Sequence, residues 1–113
     1  MNQTTKEIFY EDGSIKEQIP YSGKKKQGTL KKYNKKGIVI MSVDYCDDKI
    51  NGLVKSYYDD GQLEFVESYT EGKRQNDLRI YNRDGFLTYS SDRTIESDYP
   101  ECSYMKTFEP RHF

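Results

Sequence analysis

Hydrophobic and polar positions along the chain recur with a period of 24 residues, and the period extends over most of its length. Phe9, Tyr33, Tyr57 and Tyr81 mark one column, and Ile15, Val39, Leu63 and Leu87 mark another. Tyr21, Tyr45 and Tyr69 form a third, and Leu30, Val54 and Leu78 a fourth. Glycine follows the same interval at Gly13, Gly37, Gly61 and Gly85, and Gly28 and Gly52 lead to Asn76. A repeat of this length means stacked copies of one supersecondary unit.

Within each copy the apolar positions alternate. Val39, Met41, Val43 and Tyr45 fall on one side of an extended chain, and Ile40, Ser42 and Asp44 on the other. In the neighbouring copies Leu63, Phe65 and Tyr69 share a side with Glu67, and Ile15, Ile19 and Tyr21 with Glu17. Such alternation predicts half-buried antiparallel strands. Between them lie Tyr10-Glu11-Asp12-Gly13, Asn34-Lys35-Lys36-Gly37, Tyr58-Asp59-Asp60-Gly61 and Asn82-Arg83-Asp84-Gly85, polar stretches that each end in glycine. A glycine there suits a type I turn with a bulge, which needs a positive φ.

The expected architecture is all-β: an elongated, single-layer antiparallel meander of about eight strands in four tandem hairpins, with a C-terminal cap. The repeats occupy residues 1–89, in units of about 4–27, 28–51, 52–75 and 76–89. The last unit decays after Leu87 and Tyr89, as capping units do. Residues 90–113 break the period and read as a capping tail. Its aromatics Tyr99, Tyr104 and Phe108 are candidates for covering the sheet end or for contacting a partner.

Composition sharpens this picture. Leu, Ile, Val and Phe number only 22 of 113 residues, whereas there are 11 tyrosines and no alanine or tryptophan. Tyrosine must therefore supply much of the packing, and strands are favoured over helices. No apolar run is long enough to span a bilayer as a helix, and the start of the chain lacks the apolar stretch of a secretory signal. With only Cys46 and Cys102, two reduced thiols in a cytoplasmic protein are expected rather than a disulfide framework.

The motif Tyr57-Tyr58-Asp59-Asp60-Gly61-Gln62-Leu63, followed by Tyr69-Thr70-Glu71-Gly72-Lys73, resembles the MORN-repeat variant family, whose bacterial members include the YwqK-type antitoxins. The likeness extends through residues 7–89, with departures at Asp48-Lys49, which lacks a glycine, and at Asn76. It implies consecutive hairpins in a twisted sheet. It also implies a recognition role: an immunity protein or antitoxin that neutralises a toxin or effector, or a scaffold that bridges proteins or touches membranes.

Nothing in the residues points to catalysis. His112 is penultimate, and the carboxylate pairs Asp47-Asp48 and Asp59-Asp60 sit in predicted turns, where aspartate serves the backbone. No cofactor or metal site is expected, since two thiols and one histidine make no ligand set.

Charge is asymmetric. Residues 1–56 carry +4 and residues 57–113 carry −5. Lys24, Lys25, Lys26, Lys31, Lys32, Lys35 and Lys36 occur with no acid between them, as a patch at one end of the sheet. They read as protection of a sheet edge, as a surface for an acidic protein, or as a contact with anionic membrane or nucleic acid. The near-neutral chain argues against nucleic acid. Asp47, Asp48, Asp59, Asp60, Glu64 and Glu67 are candidate contacts to a basic partner, such as a toxin acting on nucleic acid. A phage or mobile-element inhibitor of a host defence protein would use the same binding physics. The oligomeric state stays open at this point, because exposed edges can pair.

Overall fold

The computed structural model describes residues 3–91, all in strands and turns. The strands are β1 (Gln3–Phe9), β2 (Ile15–Ser22), β3 (Lys25–Lys26), β4 (Gly28–Tyr33), β5 (Val39–Cys46), β6 (Lys49–Tyr57), β7 (Leu63–Thr70), β8 (Lys73–Arg74), β9 (Arg79–Tyr81) and β10 (Leu87–Ser90). They make one open antiparallel sheet in the order β1-β2-β4-β5-β6-β7-β9-β10. The two-residue strands β3 and β8 are continuations of β4 and β9 beyond an irregularity, pairing with β2 and β7. The hairpin meander expected from the repeat is therefore the observed fold.

The four long turns share one geometry. Gly37 N–H donates to the Asn34 carbonyl at 3.0 Å, and Asn34 N–H to the Ile38 carbonyl at 2.9 Å. The same pair of bonds closes the turns at Tyr10–Gly13, Tyr58–Gly61 and Asn82–Gly85. Side chains reinforce them in an alternating way. Asn34 and Asn82 accept from backbone N–H groups inside their own turns. Where the first residue is Tyr10 or Tyr58, the third, Asp12 or Asp60, accepts instead. The tyrosine is then free to reach the next unit: Tyr10 hydroxyl donates to the Tyr33 carbonyl at 2.7 Å, and Tyr58 to that of Tyr81 at 2.6 Å. Asn34 amide spans the intervening gap to the Asp59 carbonyl at 3.1 Å. Adjacent units are thus stitched along the rim, and the true structural repeat is a pair of hairpins, 48 residues long.

Each hairpin carries a bulge beside its long turn. The register shifts between Ile8 and Phe9, Lys32 and Tyr33, Ser56 and Tyr57, and Leu87 and Tyr89. A bulge adds one residue to one strand and re-aims the side chains beyond it. Strict alternation consequently fails at the start of β5: Val39 lines a groove with Lys31, Ser42 and Tyr57 instead of continuing the row of Met41 and Val43.

Cross-strand pairing defines two faces. On the aliphatic face, Leu30 stands opposite Val43, Val43 opposite Val54, and Val54 opposite Glu67. Ile19, Leu30, Val43 and Val54 are buried there, in a thin core along the middle of the sheet. On the other face the row is Gln18, Lys31, Ser42, Lys55, Val66 and Arg79. Val66 alone is the buried apolar residue of that row.

Two expectations change. Cys46 does not carry a free thiol but is disulfide-bonded. A count of two cysteines does not by itself exclude a bridge, and so sets no compartment. And Lys24–Lys36 do not guard an edge: β4 lies inside the sheet between β2 and β5, and the outer strands are β1 and β10. The expected capping tail, with Tyr99, Tyr104 and Phe108, lies outside the described residues.

Candidate interaction surfaces

Antiparallel strands send successive turns to opposite rims of the sheet, and this separates residues that are close in sequence. Asp47 and Asp48 occupy the short turn between β5 and β6, both with positive φ (55° and 72°). Asp59 and Asp60 lie in the long turn at the other end of β6. Nine residues of strand separate the two pairs, roughly 30 Å at about 3.3 Å per residue. The acidic candidates therefore do not form one surface.

Several of them are also engaged. Asp48 carboxylate accepts from Lys26 N–H at 2.8 Å, and Asp47 pairs with Lys25 at 3.1 Å in an exposed ion pair. Asp60 braces its own turn through Gln62 N–H, and Asp59 meets Arg83 at 3.2 Å. Glu64 accepts from Ser56 hydroxyl at 3.1 Å. Glu67 sits on the aliphatic face, bound to Arg74 at 3.3 Å and to Tyr69 hydroxyl at 3.2 Å. Burial, and then the Glu67 charge beside it, pushes the Tyr69 phenol above its ordinary value of 10.0. At the opposite rim the Ser14 hydroxyl and N–H hold the Asp12 carboxyl below 3.8.

The lysines divide in the same way. Lys24, Lys25 and Lys26 belong to the short-turn rim, and Lys35 and Lys36 to the long-turn rim. Between them, Lys32 is on the aliphatic face opposite Met41 and Lys31 on the other face opposite Ser42. Lys26 ammonium lies 5.0 Å from the Tyr45 ring centroid, and Lys35 lies 5.6 Å from that of Tyr10. A continuous basic patch is absent; what the sequence groups, the sheet distributes.

A different set comes together on the face opposite the aliphatic core. Lys31, Lys55 and Arg79 stand in one row on alternate strands, exposed or half-buried. Tyr33, Tyr57 and Tyr81 follow them two residues further along β4, β6 and β9. Tyr33 hydroxyl donates to Gln18 at 2.5 Å across the same face. A shallow groove of about 670 Å³ opens there, with Lys31, Ser42, Asp44, Leu53, Lys55 and Tyr57 in its wall. Its Asp44 carboxylate is committed, accepting from Thr29 hydroxyl at 2.8 Å and Leu53 N–H at 2.9 Å. The cation row was legible in the sequence: 31, 55 and 79 keep the 24-residue period one position after the Leu30 column.

A second missed column is structural. Gln27 side-chain carbonyl accepts from Asp47 N–H at 2.8 Å, and Asn51 from Glu71 N–H at 2.9 Å, so each short turn docks on the unit before it. Among the described residues no three His, Cys, Asp or Glu side chains converge as a metal site, and no helix is long and apolar enough to cross a membrane. No curated protein and no solved structure matches the chain. A family model does match it at two places: residues 4–22 and 50–71, which hold the hairpins β1-β2 and β6-β7, are similar to the MORN repeat variant.

Proposed function

We propose that the chain is a non-catalytic module that binds a protein partner and neutralises it, in the manner of an immunity protein or antitoxin. The observation that supports this reading is the uncovered sheet face. Among the described residues no second layer packs on the row Lys31, Lys55 and Arg79, and a groove runs beside it. An open sheet face with charged and tyrosine side chains beside a groove is suited to recognition, and tyrosine is enriched at binding hot spots. The MORN-variant similarity of two hairpins agrees with a repeat module used for binding.

The test is co-expression with the product of the adjacent gene. A stoichiometric complex and restored growth are expected; a neighbour that neither binds the module nor impairs growth overturns the antitoxin role. The reading puts the encounter in the cytoplasm. The Cys46 disulfide of the structure weighs against that placement, since stable disulfides are rare in reducing compartments. Thiol trapping in freshly lysed cells decides: a free Cys46 thiol supports it and a persistent bridge overturns it.

A further inference from the structure

We propose that the face bearing Lys31, Lys55 and Arg79 docks an acidic protein segment in polyproline II conformation, with a carboxylate at every third residue. The inference rests on the binding-module reading and specifies its ligand. Three observations carry it.

The first is that these cations have no partners. Among the described residues the ion pairs are Lys25–Asp47, Arg74–Glu67 and Arg83–Asp59, and none involves the row. No hydrogen bond or ring contact engages the three side chains either. Asp44, the acid lining the groove beside them, is turned to Thr29 and Leu53. The row therefore offers an external anion three cations without an ion pair of their own, the nearby Asp44 and Asp77 carboxylates being held by other partners.

The second is spacing. The cations occupy every second strand, with Ser42 and Val66 between them. Neighbouring strands are about 4.8 Å apart, so the cations recur at roughly 9.6 Å. A polyproline II chain rises about 3.1 Å per residue with three residues per turn, so every third side chain returns to one side after about 9.3 Å. An ordinary β-strand presents alternate residues at about 6.6 Å and falls out of step. The long Lys and Arg stems take up the twist of the sheet along the row.

The third is the aromatic ledge. Tyr33, Tyr57 and Tyr81 flank the cations on the same strands, and Tyr57 lines the groove with Lys55. Proline-rich extended segments bind in aromatic-lined grooves because their conformation is already ordered. Duplex nucleic acid fits less well: it carries one charge per about 1.7 Å of axis, far denser than this row. A flat anionic membrane would meet both rims, where Lys24, Lys25, Lys26, Lys35 and Lys36 stand among Asp47, Asp48, Asp59 and Asp60, and the vesicle arm of the experiment separates that ligand.

The experiment measures binding of a fluorescent peptide of repeated Glu-Pro-Pro to the full chain at low salt. The control peptide has the same composition with its glutamates contiguous. The regular peptide is expected to bind more tightly and to weaken as salt rises. Lys55→Gln, at the centre of the row, lowers its affinity about three- to fivefold, the scale of one surface charge pair. Replacing all three cations by Gln lowers it tenfold or more, with unchanged urea unfolding showing that the sheet is intact. Equal binding of the control peptide overturns the proposal, as does undiminished binding by the triple variant. Tighter capture of phosphatidylserine vesicles or single-stranded RNA overturns it in favour of those ligands. Failure of the peptide rejects this ligand geometry alone, since co-purification with a protein partner is scored separately.

Discussion

Gly52 is the position where the repeat tolerates a side chain least, and Gly52→Ala exposes why. The residue is buried, has φ +127°, and lies against Asp44 on the neighbouring strand. A Cβ built there would stand 2.6 Å from Asp44 Oδ2 and 2.8 Å from Asp44 Cβ, so β5 and β6 would have to part or Asp44 to leave. Leaving costs the carboxylate its bonds to Thr29 hydroxyl and Leu53 N–H. Hydrogen bonds to a charged group contribute about 1.5–3 kcal/mol, and an L-residue at positive φ costs roughly 1–2 kcal/mol. With both bonds lost the sum, about 4–8 kcal/mol, is a large share of the roughly 5–15 kcal/mol that stabilises a small domain. Two other glycines separate the contributions. Gly13 has φ +91° with nothing within 4 Å of its Cβ position, so Gly13→Ala isolates backbone strain. Gly28 has φ +116° and Pro20 at 3.3 Å, an intermediate case. Urea unfolding should rank the losses Gly13→Ala, Gly28→Ala, Gly52→Ala in rising order, and the Leu53 amide should lose exchange protection only in the last. A Gly52→Ala loss no larger than that of Gly13→Ala would refute the collision argument.

Three further outcomes follow from the same geometry. Gln27→Leu leaves the Asp47 N–H without its acceptor at a site where Gln27 is only 2% exposed, and should cost about 1–3 kcal/mol by urea titration. Glu71 holds φ +50° beside Gly72 with no side-chain bond of its own among the described residues, so Glu71→Asn should raise stability by about 0.5–1 kcal/mol, read as a higher midpoint. Tyr69 is raised in the folded state, so its contribution is complete below pH 10.0 and is lost as pH climbs through the higher folded value. Stability of Tyr69→Phe should accordingly fall less steeply than that of the parent above that pH.

The fold was legible because its determinants are local. A glycine closing each polar turn and an alternating strand on either side of it specify a hairpin from about a dozen residues, and repetition specifies the meander. The acidic candidates were grouped because Asp47, Asp48, Asp59 and Asp60 lie within fourteen positions of one another. An intervening strand sends the two pairs to opposite rims, a consequence of antiparallel geometry that proximity along the chain conceals. The alternation already put Glu67 beside Phe65 and Tyr69, and pairing opposite Val54 keeps it on the aliphatic face; what the sequence hid is that Arg74 and Tyr69 engage its carboxylate there. Val39 shows the complementary failure: period two held until the bulge, whose extra residue shifts the phase.

By itself, then, the sequence determined the hairpin unit, its period and the two-sided character of its strands, all set by neighbours within one turn of chain. Only the tertiary structure decided which charges are neutralised and which stay open. Lys25 and Arg83 meet acids from other strands or turns, whereas Lys31, Lys55 and Arg79 meet none, and nothing in their residue type distinguishes them. A charge is compensated or left available by what stands beside it across the sheet, and that neighbour is fixed by strand register and bulge position.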